Sequence, residues 1–412
     1  MKLDSRIAIE ALRAGVPNRT AIRMMGTEQA LIEKTFDAAL ERAWEPDRPP
    51  GFGIAGGFGA GKSHLLGYLA EVARAHRAVV SRVAISKETP LANPTAVFAA
   101  AVRNAELPDS ADDALGACLA ALREQPDRLE ALEAEIAAAD SGFAPIFVAM
   151  LRLLGRAGDA SGVVVAFERM LAGGRLSAVW LRDALRDAGI RGRFAPTRAD
   201  ARELPAQRLA FLPRLFAAAG YGPWCLFLDE VELIGRYSAL QRGLAYAELA
   251  GWLGLSGTIR PPGLVSLFAV TDDFTASVVA ARSDAAFLPE RLRLKGREAE
   301  ARLVAAGIEA IARAEREHRL ALPTEAELAR CHDRLRTLYT QAYDWPAPAL
   351  PPPVRTGSRT MRHYIKGWVT QWDLARLLGR SGPLVTETLA INYTEDTSLE
   401  SAPDDIDDAD AV

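Results

Sequence analysis

Residues 56–63 read Gly-Gly-Phe-Gly-Ala-Gly-Lys-Ser, and this stretch constrains the fold more than any other. It matches the pattern G-x-x-x-x-G-K-[ST]. Glycines let backbone N–H groups curl around an anion without Cβ clashes. Phe52-Gly53-Ile54-Ala55 before it reads as a short strand, and helical spacing runs from Lys62 to Ala75 after it. A helix starting there adds its N-terminal dipole to the same anion site. The pattern assigns Gly56, Gly57, Phe58, Gly59, Ala60 and Gly61 to the wrapping of phosphates. Lys62 would reach the β- and γ-phosphates of a nucleotide, and the Ser63 hydroxyl would ligate Mg²⁺. His64 closes this loop and is counted with its nucleotide-binding residues, its ring expected to pack or hydrogen-bond rather than catalyse. The plainer alternative is a glycine-rich turn that caps a helix.

A second element fits the first. Leu226-Phe227-Leu228 is an apolar run that ends in Asp229-Glu230. At the C-terminal end of a strand, Asp229 can hold the Mg²⁺ water shell opposite Ser63, and Glu230 can polarise the attacking water. Taken alone, the pair reads as an acidic turn. A later apolar run, Leu264 to Val270, ends at Thr271-Asp272-Asp273. Thr271 and Asp272 are candidates to orient water, or else they cap a helix starting at Phe274.

The rest of the chain is mostly helical in pattern. Residues 5–43 read as two helices split near Gly15-Val16-Pro17-Asn18. Ala78 to Ile85 is β-branched enough for a strand. From Thr95 to Gly220 five to seven helices are expected, separating the glycine loop from Asp229 by more than a compact nucleotide core requires. Arg291 to Leu294 reads as a short final strand. Helices follow over Glu298 to Glu317, Thr324 to Tyr343 and Arg359 to Leu378, the last after a proline-rich break. The expected units are an N-terminal helical segment (1–45), a core in two parts (46–94 and 221–296), a helical insertion (95–220), a helical lid (297–380) and an acidic disordered tail (381–412).

Composition sets limits. No apolar run approaches the ~20 residues of a membrane span, and the N-terminus shows no secretory pattern, so a cytoplasmic location without membrane contact is expected. Cys118, Cys225 and Cys331 lie far apart, with no metal-ligand spacing. Cys331-His332 lacks further ligands, and Trp368 and Trp372 have ordinary core spacing. Nine acids and no Lys or Arg fall in residues 381–412, leaving 49 basic against 44 acidic residues in the body. A mildly basic body permits DNA contact, and the acidic tail could fill a basic groove until DNA or a partner displaces it.

Taken together, Ile9-Glu10-Ala11-Leu12-Arg13-Ala14-Gly15-Val16-Pro17, the loop GGFGAGKSHLL, the segment LFLDEVE and the late arginine-bearing helix resemble the AAA+-type P-loop ATPases of bacterial bacteriophage-exclusion (BREX) and related defence systems. The resemblance extends over most of residues 6–378. It implies an α/β fold, with a P-loop NTPase core of five parallel strands, a large helical insertion and a C-terminal helical lid. It also implies that residues Val16 to Ile22 approach the adenine ring and that Thr271 or Asp272 acts as the sensor on the central strand. Arg362, then Arg359, matches the lid arginine, and Arg282 or Arg291 could act in trans across an oligomer.

The expected function is an ATP-binding and ATP-hydrolysing switch, with ATP and Mg²⁺ as ligands. Its implied partners are other defence-system proteins and DNA, direct or indirect, with homo-oligomers permitted. The alternative is a slowly hydrolysing nucleotide-binding module that regulates a partner enzyme. A signalling protein built on appended repeats is disfavoured because no repeat is evident, and the Asp-Glu pair favours hydrolysis over a small-molecule kinase.

Overall fold

Strand β4 (Trp224–Asp229) shows how the molecule is layered. Trp224, Leu226 and Leu228 alternate with Cys225 and Phe227, and all five are fully buried. A strand apolar on both sides needs cover on both faces, as parallel sheets do. The computed structural model describes residues 2–16, 18–110, 113–156, 161–192, 194, 198–257, 260–350, 360–379 and 393–399. It contains a mixed α/β architecture with helices on both faces of a five-stranded sheet.

The strands are β1 (Phe52–Ala55), β2 (Val79–Ala84), β3 (Ala105–Glu106), β4 and β5 (Leu264–Val270), ordered β1-β5-β4-β2-β3. β1 pairs in parallel with β5, β5 with β4, and β4 with β2. The two-residue β3 is antiparallel to β2, so the sheet is not wholly parallel as the resemblance implied. On the other side of β1, Ala55 N–H donates to His318 O (3.1 Å) and Leu320 N–H to Ala55 O (2.7 Å), which covers that edge.

One face of the sheet packs against the helices Ala30–Glu41 and Lys62–Ala75, through residues such as Phe36, Leu40, Leu66 and Leu69. The other face shares one continuous core with the stretch between β3 and β4. Leu119, Phe147, Phe211 and Phe216 there join Trp224, Leu226 and Leu228. Among the described residues seven helices lie between Pro94 and Ala218. A third core joins the two ends of the chain. Ala8 and Ile9 of helix Lys2–Ala14 meet Leu335 and Tyr339 of Glu325–Tyr343, and Trp368 and Trp372 of Met361–Leu378. These tryptophans are core residues, as their spacing indicates. Among the described residues no helix is long and apolar enough to cross a membrane.

Four local expectations need correction. Residues 5–43 fall in three helices rather than two, because Gly26 (φ 64°) ends Arg19–Met25 before Ala30–Glu41 begins. Arg291–Leu294 is no strand, since Arg291 to Arg293 close the helix Asp284–Arg293. The turn after Phe274 is a π-helix, Thr275–Ala280. Residues 393–399, read from charge as part of a disordered tail, pack against the body through Tyr393 and Leu399. Asn18 does cap its helix as the sequence suggests, accepting from Ala21 N–H at 3.1 Å.

Two tests follow from this packing. Helix Glu298–Glu317 crosses Ala239–Leu253 so closely that a Cβ on Gly307 would lie 1.9 Å from Tyr246 O. Gly307→Ala is expected to cost about 1–3 kcal/mol. Gly243 has open space around it, and Gly243→Ala should raise stability by about 0.5–1 kcal/mol. Denaturant midpoints of the two variants check both signs. The second test concerns two histidines. His64 Nε2–H donates to Gly26 O (2.8 Å) and His318 Nδ1–H to Gly53 O (3.1 Å). Burial holds both imidazoles below their ordinary value of 6.5. The unfolded chain then takes up protons first, so stability declines as pH falls below about 6.5. His64→Gln keeps a donor for Gly26 O and should flatten that decline, measured as unfolding midpoint between pH 7 and pH 5.

Candidate functional site

The glycine loop hangs between β1 and helix Lys62–Ala75. Gly56 N–H donates to Val270 O (3.2 Å), tying the loop's start to β5, and Leu65 N–H to Gly61 O (2.8 Å) opens the helix. Gly59 and Gly61 have φ of 76° and 109°, a region costly for residues with a Cβ. A Cβ on Gly59 would also lie 2.9 Å from Thr360 Oγ1. The loop thus has to be glycine both for its own turn and for the helix that approaches it.

Lys62 folds back under this loop. It is 8% exposed, and its Nζ donates to Gly56 O at 2.9 Å. A carboxylate oxygen of Glu232 lies 3.5 Å away. Glu232 was not singled out from the sequence. The signal was the third acid in Asp-Glu-Val-Glu. The 3₁₀ turn Val231–Arg236 after β4 brings it back towards the loop. Burial pushes the Glu232 carboxyl up, and Lys62 opposes that shift. Its Oε2 is buried with no hydrogen-bond partner, a costly state that a ligand could relieve.

Asp229 ends β4, and its Oδ1 accepts from Glu230 N–H at 3.0 Å. Glu230 adopts φ 60°, ψ 32°, a strained conformation of the kind concentrated at functional sites. Burial, then the Asp229 charge, raises its carboxyl above the ordinary range, and Lys62 acts in the opposite sense. A carboxylate shifted upwards is better able to accept a proton near neutrality.

These groups share one cavity of about 380 Å³, whose walls include Phe58 to Ser63, Asp229, Glu230, Glu232 and Arg362. That volume suits a small-molecule ligand. Its other wall comes from both chain ends: Leu12, Gly15, Val16 and Met25 to Gln29, with Glu327, Cys331, Arg334 and Ile365. Val16, from the segment expected near the base, lines this cavity. Ile22 instead packs on helix Lys62–Ala75, where a Cβ on Gly67 would meet it at 2.4 Å. Pro17 lies outside the described residues.

Arg362 stands at the junction of these parts. Its guanidinium sits 5.2 Å from the Phe58 ring centroid and donates to Gly15 O (3.2 Å), while its backbone N–H meets Gly59 O at 3.4 Å. Arg359, the second choice, lies outside the described residues.

Thr271 and Asp272 directly follow β5, the strand between β1 and β4, yet neither lines the cavity. Thr271 is buried and its Oγ1 lies 2.6 Å from the Tyr393 hydroxyl. Asp272 accepts from Arg319 Nε (2.9 Å) and Nη2 (2.6 Å). Neither caps the following turn. Asp273 bonds to Ser277 Oγ there (2.9 Å). Arg282 is half-buried and paired to Glu395 (3.5 Å), whereas Arg291 is exposed beside Phe287. Among the described residues no cluster of three or more His, Cys, Asp or Glu could hold a metal. A cation here would need ligand oxygens besides Ser63 and Asp229.

No curated protein and no solved structure matches the chain. A family model does: residues 1–138, which include the glycine loop, match the BREX system ATP-binding protein BrxC/D family, bearing out the family resemblance carried by the N-terminal segment and the loop.

Proposed function

We propose that the chain binds Mg-ATP in this cavity and hydrolyses it. One observation supports this above the others. A buried ammonium under a glycine loop faces three carboxylates, Asp229, Glu230 and Glu232, across a single cavity. That is the charge arrangement that a polyphosphate with a divalent cation would complete.

In this reading the backbone of Gly56 to Gly61 and the helix start at Lys62 cradle the phosphates, with Lys62 as their point charge. His64 braces the helix against Gly26 rather than touching phosphate. Ser63 and Asp229 would hold Mg²⁺, which neutralises phosphate charge when bound. Few protein ligands suffice, because Mg²⁺ retains water and takes phosphate oxygens. Glu230 accepts a proton from the attacking water. Arg362, which lines the cavity, would meet the terminal phosphate. Thr271 is the better sensor candidate, since Asp272 is committed to Arg319. The base would lie between Val16 and Gln29 and the helix bearing Arg334.

The division of the chain into core, insertion, lid and tail belongs to the same reading. The helices between β3 and β4 would carry nucleotide state to a partner. Work in a phage-defence system, with other system proteins, DNA or further copies of the chain as partners, completes the reading and is supported by the family match over residues 1–138. The second reading, a slowly hydrolysing regulatory module, draws on the Thr271–Tyr393 contact, which occupies the sensor hydroxyl.

Steady-state ATP hydrolysis and ATP binding by wild type, Lys62→Ala and Glu230→Gln test this proposal, each with and without duplex DNA. Lys62→Ala should lose ATP affinity by at least about tenfold. Glu230→Gln should keep affinity and lose turnover by about 10²–10⁴-fold. Glu232→Gln should stay within about tenfold of wild-type turnover if Glu230 is the base. Tight ATP binding with no wild-type turnover would favour the regulatory module. Full turnover in Glu230→Gln would move the base to another group.

A further inference from the structure

Residues 393–399 lie across the ends of β4 and β5, beside the proposed ATPase site. Tyr393 is the first described residue of this segment. Its ring stands edge-on to Phe274 (centroids 6.0 Å, 88°) and fills a slot over Gly235, where a Cβ would meet the ring at 2.6 Å. The acids behind it pair with arginines. Glu395 accepts from Arg242 Nη1 at 3.0 Å and lies 3.5 Å from Arg282, and Asp396 accepts from Arg236 Nη2 at 2.7 Å. Backbone joins in, with Asp396 N–H donating to Arg236 O (2.8 Å) and Arg282 Nη2 to Tyr393 O (2.5 Å).

The hydroxyl bookkeeping gives this contact a direction. Tyr393 has one proton, and an ionised Asp273 can only accept. Donation to Asp273 Oδ1 (3.3 Å) leaves the Tyr393 oxygen to take the proton of Thr271, 2.6 Å away. Thr271 then has no donor left for a phosphate or a water. Arg282, the half-buried candidate for action in trans, is held in the same segment's grip.

We propose that the face formed by the turn Val231–Arg236, Thr271, Arg242 and Arg282 is a docking site for an acidic segment led by a tyrosine. Residues 393–399 fill it in cis, and while they do so ATP hydrolysis is held back. The second half of this inference rests on the ATPase reading above, and the first half does not. Glu395 is half-exposed, while its partners Arg242 and Arg282 are buried and largely buried, so salt screens these pairs only in part.

The test uses the full chain as wild type, as Tyr393→Phe, and as the double variant Glu395→Gln, Asp396→Asn. Hydrogen exchange over 393–399 reads docking, and steady-state ATP turnover reads its consequence. Expected are slow exchange in wild type and exchange faster by about tenfold or more in the double variant. Turnover should rise by about three- to tenfold in both variants, as for a lock closed most of the time. Tyr393→Phe keeps the ring in its slot, so its exchange should stay near wild type while its turnover rises. Exchange in wild type at the rate of an open chain would overturn the docking. Lost protection with unchanged or lower turnover would overturn the lock. Absence of turnover in every form would overturn the ATPase reading and the lock together. Docking would then stand if exchange still separates wild type from the double variant.

Discussion

A buried ammonium organises the neighbourhood of the glycine loop. Lys62 is nearly inaccessible, and a charge in that position has to be met by oxygens. The Gly56 carbonyl and the Glu232 carboxylate supply them. Meeting the first requires the loop to double back on itself, which its glycines permit. Meeting the second requires the chain after β4 to turn sharply, and Glu230 takes the left-handed conformation there. Of these acids it is Glu232 that the lysine under the loop holds.

The sheet order makes that encounter possible. With β5 between β1 and β4, the ends of all three strands open on the same edge, where ligands of parallel sheets bind. The long helical stretch separating Ser63 from Asp229 does not separate them in space. It leaves the sheet after the edge strand β3 and returns at β4, on the other side of β2, packing its own core onto one face on the way. The two chain ends close the remaining side. Their shared core of Ile9, Tyr339, Trp368 and Trp372 places the helix of Arg362 against the loop. A movement of that helix would be felt at Phe58, Gly59 and Gly15 together.

Much of this was legible along the chain. β1, β5 and the helices at Lys62 and Glu298 lie where period and flanking residues put them. Each carries its signal locally, in strand alternation or in an amphipathic turn. Errors fell where local signal is weak or double. Arg-Leu-Arg-Leu at residues 291–294 alternates like a strand, yet its first three residues are the last turn of a helix whose buried positions include Leu288 and Pro289. Val16, from the expected base segment, does line the cavity, whereas Ile22 serves the helix beneath the loop.

The sequence by itself determined the glycine loop, the acidic end of strand β4 and the α/β alternation, because each depends on residues close together in the chain. It could not determine which distant groups would answer them. That Glu232 meets Lys62, that Asp272 is spent on Arg319, and that Tyr393 reaches Thr271 across 122 positions depended on strand order and on how the tail segment packs. Such partners are chosen by which buried charges and donors must be satisfied once the layers have closed, and only the folded chain states that condition.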